Sequence, residues 1–270
     1  MFELQYEPLI LSETMRPWEI AFIPWDSETF GYGVAALSPC NDEKGAYKAG
    51  LLEKALTDYS KDKQVSLITA SIPADEYSVS LLLQQAGFCF IDLSLRVLYE
   101  NFNIDSVSNR PMLSVVPATP EEVDVVVEMA GGSFQHGRYH QDISIERSLA
   151  DQRYRDWVRR CLDPENPQEI LVVKFEDSIC GFSIVERKEN HGYLHLHAID
   201  SKWRGRKFGA EMVMQSINYL HNLGVESIGT RISASNLKTL NMHSRLKGQF
   251  TAADLLLHWH SKGDNGGVIE

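Results

Sequence analysis

Leu194–Ala210 is the segment best equipped for chemistry. An apolar run containing His195 and His197 passes through Asp200 into a turn where Lys202, Arg204, Arg206 and Lys207 fall within six residues. Phe208, Gly209 and Ala210 then open an amphipathic stretch. A strand that turns into a helix in this way gathers free backbone N–H groups and the positive end of a helix dipole at one point. That arrangement binds anions, and pyrophosphate is a common occupant. Gly209 and Ala210 leave room for close approach, and the cationic side chains add Coulombic attraction. The bland alternative is a solvated basic loop.

His195 and His197 are two residues apart, so period-two alternation predicts that they share one face of the strand. Either could accept a proton near neutral pH, and His195 is the better base because it lies further from the turn. Strand histidines can also simply pack. The pair equally raises a metal site, with His191, His258 or His260 as further ligands. No carboxylate or cysteine at helpful spacing completes one, so no metal is expected.

These residues need a scaffold, and the second half of the chain supplies a regular one. Leu113–Val116 reads as a strand. Thr119-Pro120-Glu121-Glu122 starts a helix, with Thr119 as cap and Glu122 completing a capping box. A helical stretch over Ile145–Cys161 precedes three strands, Glu169–Phe175, Ile179–Arg187 and Gly192–Asp200, joined by polar turns as in a meander. Phe208–Leu223 is a long amphipathic helix stopped by Gly224. Glu226–Ile232, Asn236–Leu246 and Ala252–His260 add strand, helix and strand. This β-α-α-β-β-β-α-β-α-β order predicts an α/β (α+β) fold with a mixed, mainly antiparallel sheet flanked by helices.

Upstream, Gln64–Ala70 reads as a strand, Glu76–Ala86 as a helix ended by Gly87, and Phe88–Tyr99 as a strand or hairpin. Asn, Asp, Ser and Pro punctuate Asn101–Met112 and mark a boundary. The expected domains are 1–108 and 111–262, with a flexible tail at 263–270. Ala86-Gly87-Phe88-Cys89-Phe90 echoes Leu246-Lys247-Gly248-Gln249-Phe250, which makes the first domain a candidate incomplete copy of the second.

The Arg204–Ala210 turn resembles the acetyl-CoA motif of the GNAT superfamily, Arg/Gln-x-x-Gly-x-Gly/Ala. Arg204 fits the first position and Gly209 the last, but Lys207 stands at the middle glycine. A lysine there is expected to resist positive φ and to crowd the phosphate. In the family an Asn opens the following helix, with a Tyr seven residues on and Leu-Gly-Phe after it. Asn236 matches, His243 replaces the Tyr, and Leu246-Lys247-Gly248 replaces Leu-Gly-Phe. Asn236 also has an ordinary role as a helix cap.

The resemblance implies an acyl-CoA-dependent N-acyltransferase, with acetyl-CoA as co-substrate. It implies contacts to that co-substrate from His197, Ile199, Arg204, Gly205, Arg206, Lys207, Phe208, Gly209, Ala210 and Asn236. His243 would protonate the leaving thiolate as an imidazolium, or its presence would mark lost catalysis. Ser133–Asp142, Ala150–Val158 and Pro24–Tyr32 are similar to the bacterial dTDP-fucosamine acetyltransferase group, in which a truncated GNAT-like domain precedes a complete one. On that likeness the acceptor is the amine of a nucleotide-linked amino sugar, met by Arg138, Tyr139 and His140. Two alternatives stay open: a non-catalytic protein that binds CoA or a sugar nucleotide, and an enzyme for another small amine.

Composition limits the rest. A net charge of −11 argues against general nucleic-acid binding. There is no long apolar run for a membrane, and Met1–Gln5 lacks the character of a secretory leader. Cys40, Cys89, Cys161 and Cys180 are dispersed, which predicts a reduced cytoplasmic setting. A homodimer is compatible with the sequence.

Overall fold

The computed structural model describes residues 4–9, 18–39, 49–100 and 112–261. Cys40, most of the expected boundary and the 263–270 tail lie outside them. In chain order the first elements are β1 (Glu7–Leu9), β2 (Trp18–Phe22), α1 (Pro24–Phe30), β3 (Gly33–Ser38), α2 (Ala49–Lys63), β4 (Val65–Pro73), α3 (Tyr77–Gln85) and β5 (Cys89–Glu100). After them come β6 (Leu113–Pro117), α4 (Pro120–Ser133), α5 (Arg138–Gln141), α6 (Arg147–Arg160), β7 (Gln168–Phe175), β8 (Ser178–Lys188) and β9 (His191–Ile199). A 3-10 turn (Ser201–Trp203), α7 (Phe208–Asn222), β10 (Ser227–Ser233), α8 (Leu237–Arg245) and β11 (Gln249–His260) complete the chain.

The chain forms two compact units that interleave in sequence. Of the described residues, the larger holds those within 94–252, and the smaller holds those within 4–93 together with 253–261. This differs from a single cut between 108 and 111, because β5 and β11 each pass from one unit into the other. The larger unit's strands run β5-β10-β9-β8-β7-β6, with only β9 and β10 parallel. The smaller unit's run β1-β2-β3-β4-β11, with β3 and β4 parallel.

The two units end in the same helix–strand pair. α3 and α8 both have 9 residues, and β5 and β11 both have 12. Each element of the later pair starts 160 residues after its counterpart. The final strands are exchanged in the same register. Tyr99 of β5 lies opposite Ile228 of β10, and its counterpart Trp259 of β11 lies opposite Ile68 of β4.

Local sequence explains the parts that matter for the site. Thr119 caps α4 with Pro120 behind it, and its N–H donates to Glu122 Oε2 at 3.0 Å, completing the expected capping box. In α7, Phe208, Met212, Val213, Ile217 and Leu220 are buried at helical spacing, and Gly224 at φ +86° ends the helix. These side chains pack with Val97, Leu194 and Ile228 on one face of the larger sheet. Val126 of α4 and Val158 of α6 pack with Phe182, Ile184 and Leu196 on the other.

Candidate active site

The anion cradle forms at the end of β9. Asp200 accepts from Lys202 N–H at 2.8 Å, folding the chain into the 3-10 turn. Arg204 Nε donates to Ile199 O at 3.2 Å, which ties the turn to the strand. Gly205 and Lys207 then take left-handed backbone, at φ +86° and +66°. Lys207 is the N-cap of α7 and provides no side-chain cap. The N–H groups of the first turn, Phe208, Gly209 and Ala210 among them, therefore lack an intrahelical acceptor. Lys202, Arg204, Arg206 and Lys207 are all exposed around them, with Arg206 4.9 Å above the Trp203 ring.

The expected reluctance of Lys207 to enter positive φ is overridden. Left-handed backbone costs a non-glycine residue about 1–2 kcal/mol, and the turn imposes it all the same. Lys247 does likewise at φ +62°, where the first copy has Gly87 at φ +97°.

Behind the cradle, the β9–β10 ladder stops at Leu194↔Thr230, although the strands continue to Ile199 and Ser233. Thr230 Oγ1 donates to Leu194 O at 2.8 Å at that point. The β10-facing edge of 195–199 thus lies beyond the ladder, where the two strands no longer pair.

The prediction that His195 and His197 share a face needs correction. The register against β8 shifts there, with Ile184 opposite Leu196 but Val185 opposite Leu194, which leaves His195 as the extra residue of a β-bulge. Leu194 accordingly packs on the α7 side while Leu196 packs on the α4/α6 side. His195 lies near Trp157 of α6, and His197 lies near His243 of α8, so the two rings occupy opposite faces. The His-x-His metal alternative loses its geometric basis.

On the α6 side, His195 Nε2 lies 2.7 Å from Glu186 Oε2. The His195 hydrogen bond holds the Glu186 carboxyl down at about 2, against the desolvation that opposes it. Gln168 Nε2 donates to the same carboxylate at 3.4 Å, and Trp157 Nε1 donates to Gln168 Oε1 at 2.7 Å. Tyr193 stacks on His195 with centroids 5.9 Å apart. Glu186 and Gln168 escaped the sequence reading. The only signal was a carboxylate inside an otherwise apolar strand, and pairing it with His195 requires the register.

On the α8 side, His243 is fully buried and its Nδ1 lies 2.6 Å from Tyr99 Oη. Its ring meets that of His197 edge-on at 5.5 Å. Burial, reinforced by His197, pushes His243 down to about 3, and burial pushes His197 down to about 4. Burial also raises the Tyr99 hydroxyl above its ordinary value. The imidazolium expected at His243 is therefore replaced by a neutral ring at physiological pH. Its Nε2, like Nδ1 of His197, is enclosed without a partner among the described residues.

Asn236 Oδ1 accepts from Thr239 N–H at 3.2 Å, so this residue does cap α8. On α5, Arg138 donates to Tyr139 Oη at 3.0 Å. Tyr139 is buried, with the guanidinium groups of Arg138 and Arg153 4.8 and 4.7 Å from its ring centroid. His140 pairs with Asp151 at 2.8 Å and stacks on Tyr154. Gln141 and His136 both bond Ser235 Oγ, at 2.8 and 3.0 Å, fastening this segment to the loop before α8.

The family model described as the acetyltransferase (GNAT) family matches residues 123–248, a span that runs from α4 through the cradle to the end of α8. Residues 123–248 thus form a GNAT acetyltransferase domain. Enzymes of this family generally use acetyl-CoA. The spore coat polysaccharide biosynthesis protein SpsD of Bacillus subtilis is 20% identical over 198 residues, covering 73% of this chain and 67% of SpsD. Among solved structures, a GCN5-related N-acetyltransferase from Sphaerobacter thermophilus superposes with a TM-score of 0.65 at 12% identity, covering 90% of this chain and 76% of that one. A tandem GNAT protein from the clavulanic acid biosynthesis pathway gives 0.60 at 13% identity, covering 92% and 81%. These likenesses confirm a GNAT fold. No helix among the described residues is long and apolar enough to cross a membrane.

Proposed function

We propose that this GNAT domain transfers an acetyl group from acetyl-CoA to the amine of an amino sugar carried on a nucleotide, by direct attack within a ternary complex. The observation that carries the CoA part is the cradle: two left-handed residues, an uncapped α7 N-terminus and four exposed cations at the end of a strand that has left its neighbour. In this reading Gly205, Phe208, Gly209 and Ala210 offer backbone to the pyrophosphate, and Arg204, Arg206 and Lys207 offer charge. His197 and Ile199 offer main-chain contacts to the pantetheine, and Asn236 steadies the start of α8.

From the α6 face of the gap that opens beyond Leu194↔Thr230, His195, held at Nε2 by Glu186, takes the amine proton directly or through water as the C–N bond forms, while His243 meets the thioester from the α8 face. The C–S bond then breaks, and the thiolate leaves as an anion. His243 serves it as a neutral N–H donor, since an imidazolium would need a far higher pKa than burial allows. The acceptor reading draws on the likeness to SpsD, whose name places it in polysaccharide biosynthesis. Arg138 is the acceptor contact on α5, and Tyr139 and His140 brace it from inside.

Calorimetry tests the donor half. Wild type should bind acetyl-CoA, and Arg204→Ala should bind it about tenfold more weakly, as the loss of one charge-assisted contact predicts. Absence of binding by any acyl-CoA contradicts the reading.

A further inference from the structure

We propose that Tyr99 is a positioning residue for the acyl-transfer site: its hydroxyl fixes His243 as the tautomer that carries its proton on Nε2. The inference rests on the role given above to His243. It deepens that role by assigning a part to a strand from the first half of the chain.

The two copies within the chain make the argument. In the smaller unit, the position equivalent to His243 is Leu83, fully buried, and the position equivalent to Gly248 is Phe88, also buried. Trp259 of the exchanged strand packs there in the hydrophobic core with Leu83, Ala86 and Phe88. The larger unit keeps the same backbone. Phe88 N–H donates to Leu83 O at 3.0 Å in one copy, and Gly248 N–H donates to His243 O at 2.9 Å in the other.

Around that backbone, three side chains that touch one another change together. Trp259 becomes Tyr99, Leu83 becomes His243 and Phe88 becomes Gly248. The glycine is needed for the fit, since a Cβ at 248 would fall 2.9 Å from Tyr99 Cζ and 2.6 Å from Val97 Cγ1. The three residues thus act as a set that converts a hydrophobic plug into a buried polar pair. The conversion occurs only in the unit that bears the cradle. Packing alone is already met by the apolar version, so the polar version answers another need.

The hydroxyl has one proton to give and His243 Nδ1 is its 2.6 Å neighbour. Among the described residues Nδ1 is the hydroxyl's one hydrogen-bond partner, so the protonated tyrosine satisfies its O–H by donating there; Nδ1 then accepts, and the ring's own proton sits on Nε2. That nitrogen has no partner among the described residues. A buried N–H left unsatisfied costs about 1–3 kcal/mol, a cost recovered when an anion such as the departing thiolate arrives. No covalent step is assigned to Tyr99, and its high pKa keeps the proton on oxygen throughout.

The test is the ring nitrogen NMR of His243, assigned with the His243→Gln variant, in the protein without ligand. The account predicts an unprotonated, hydrogen-bonded Nδ1 and a protonated Nε2 in wild type. In Tyr99→Phe the two tautomers should mix. With acetyl-CoA and an acceptor, that variant should lose roughly tenfold in kcat, the effect of one hydrogen bond, with KM for acetyl-CoA unchanged. A protonated Nδ1 in wild type overturns the proposal, as does a Tyr99→Phe variant with unaltered nitrogen signals. The wild-type spectrum needs no turnover, so it stands even if the acetyl-transfer reading fails.

Discussion

The two depressed imidazoles on the α8 side make stability a direct reporter of the site. His243 titrates at about 3 and His197 at about 4, both below the ordinary 6.5. Between about pH 4 and 6.5 the unfolded chain binds protons that the folded chain refuses, so stability falls as pH falls. From pH 6 to pH 5, each such histidine subtracts about 1.2 kcal/mol, and the two together about 2.4 kcal/mol. The interval from pH 6 to 5 is informative because Glu186, held at about 2 in the fold against an ordinary 4.5, loses its contribution mainly below it. Urea unfolding followed by circular dichroism at pH 5 and 6 measures the difference. His243→Gln should keep about half of it. A wild-type stability that does not change between pH 6 and 5 refutes the buried, neutral pair, as does a full-sized change in the variant.

Three other substitutions probe separate parts of the site. Glu186→Gln removes the charge that holds His195, and kcat should drop roughly 10- to 100-fold with acetyl-CoA binding intact by calorimetry; unchanged kcat removes Glu186 from the reaction. Lys207→Gly relieves left-handed backbone but adds freedom to the unfolded chain, so stability should shift by less than about 1 kcal/mol. Its acetyl-CoA affinity should fall, with a weaker salt dependence than wild type. Gly248→Ala forces a Cβ against Tyr99 and Val97 and should cost about 1–3 kcal/mol by urea unfolding.

Strong local signals made much of the second half readable. The Thr119–Glu122 cap, the Gly224 stop and the apolar spacing of α7 gave the element order from β6 to β11, and the cradle residues were legible as a set. The earlier half was less open. In α2 the buried apolar residues are Leu52 and Leu56, with Lys54, Asp58, Lys61 and Lys63 between and after them, so the periodic signal is thin. The bulge at His195 was hidden for a different reason. Both faces of the larger sheet are buried, so Leu194, Leu196 and Ala198 keep an unbroken apolar rhythm while the strand changes face. Tyr99 and His243 are 144 residues apart, and only the exchange of β5 brings them together. The repeat was audible in Ala86–Phe90 and Leu246–Phe250, but the exchange itself leaves no mark in composition or period.

The central claim is the reaction, and product analysis tests it most directly. Purified protein incubated with acetyl-CoA and dTDP-4-amino-4,6-dideoxygalactose should yield the singly N-acetylated sugar nucleotide and one free CoA per product by mass spectrometry. Tight acetyl-CoA binding with no acetylated product from this or any other amino-sugar nucleotide would contradict the account.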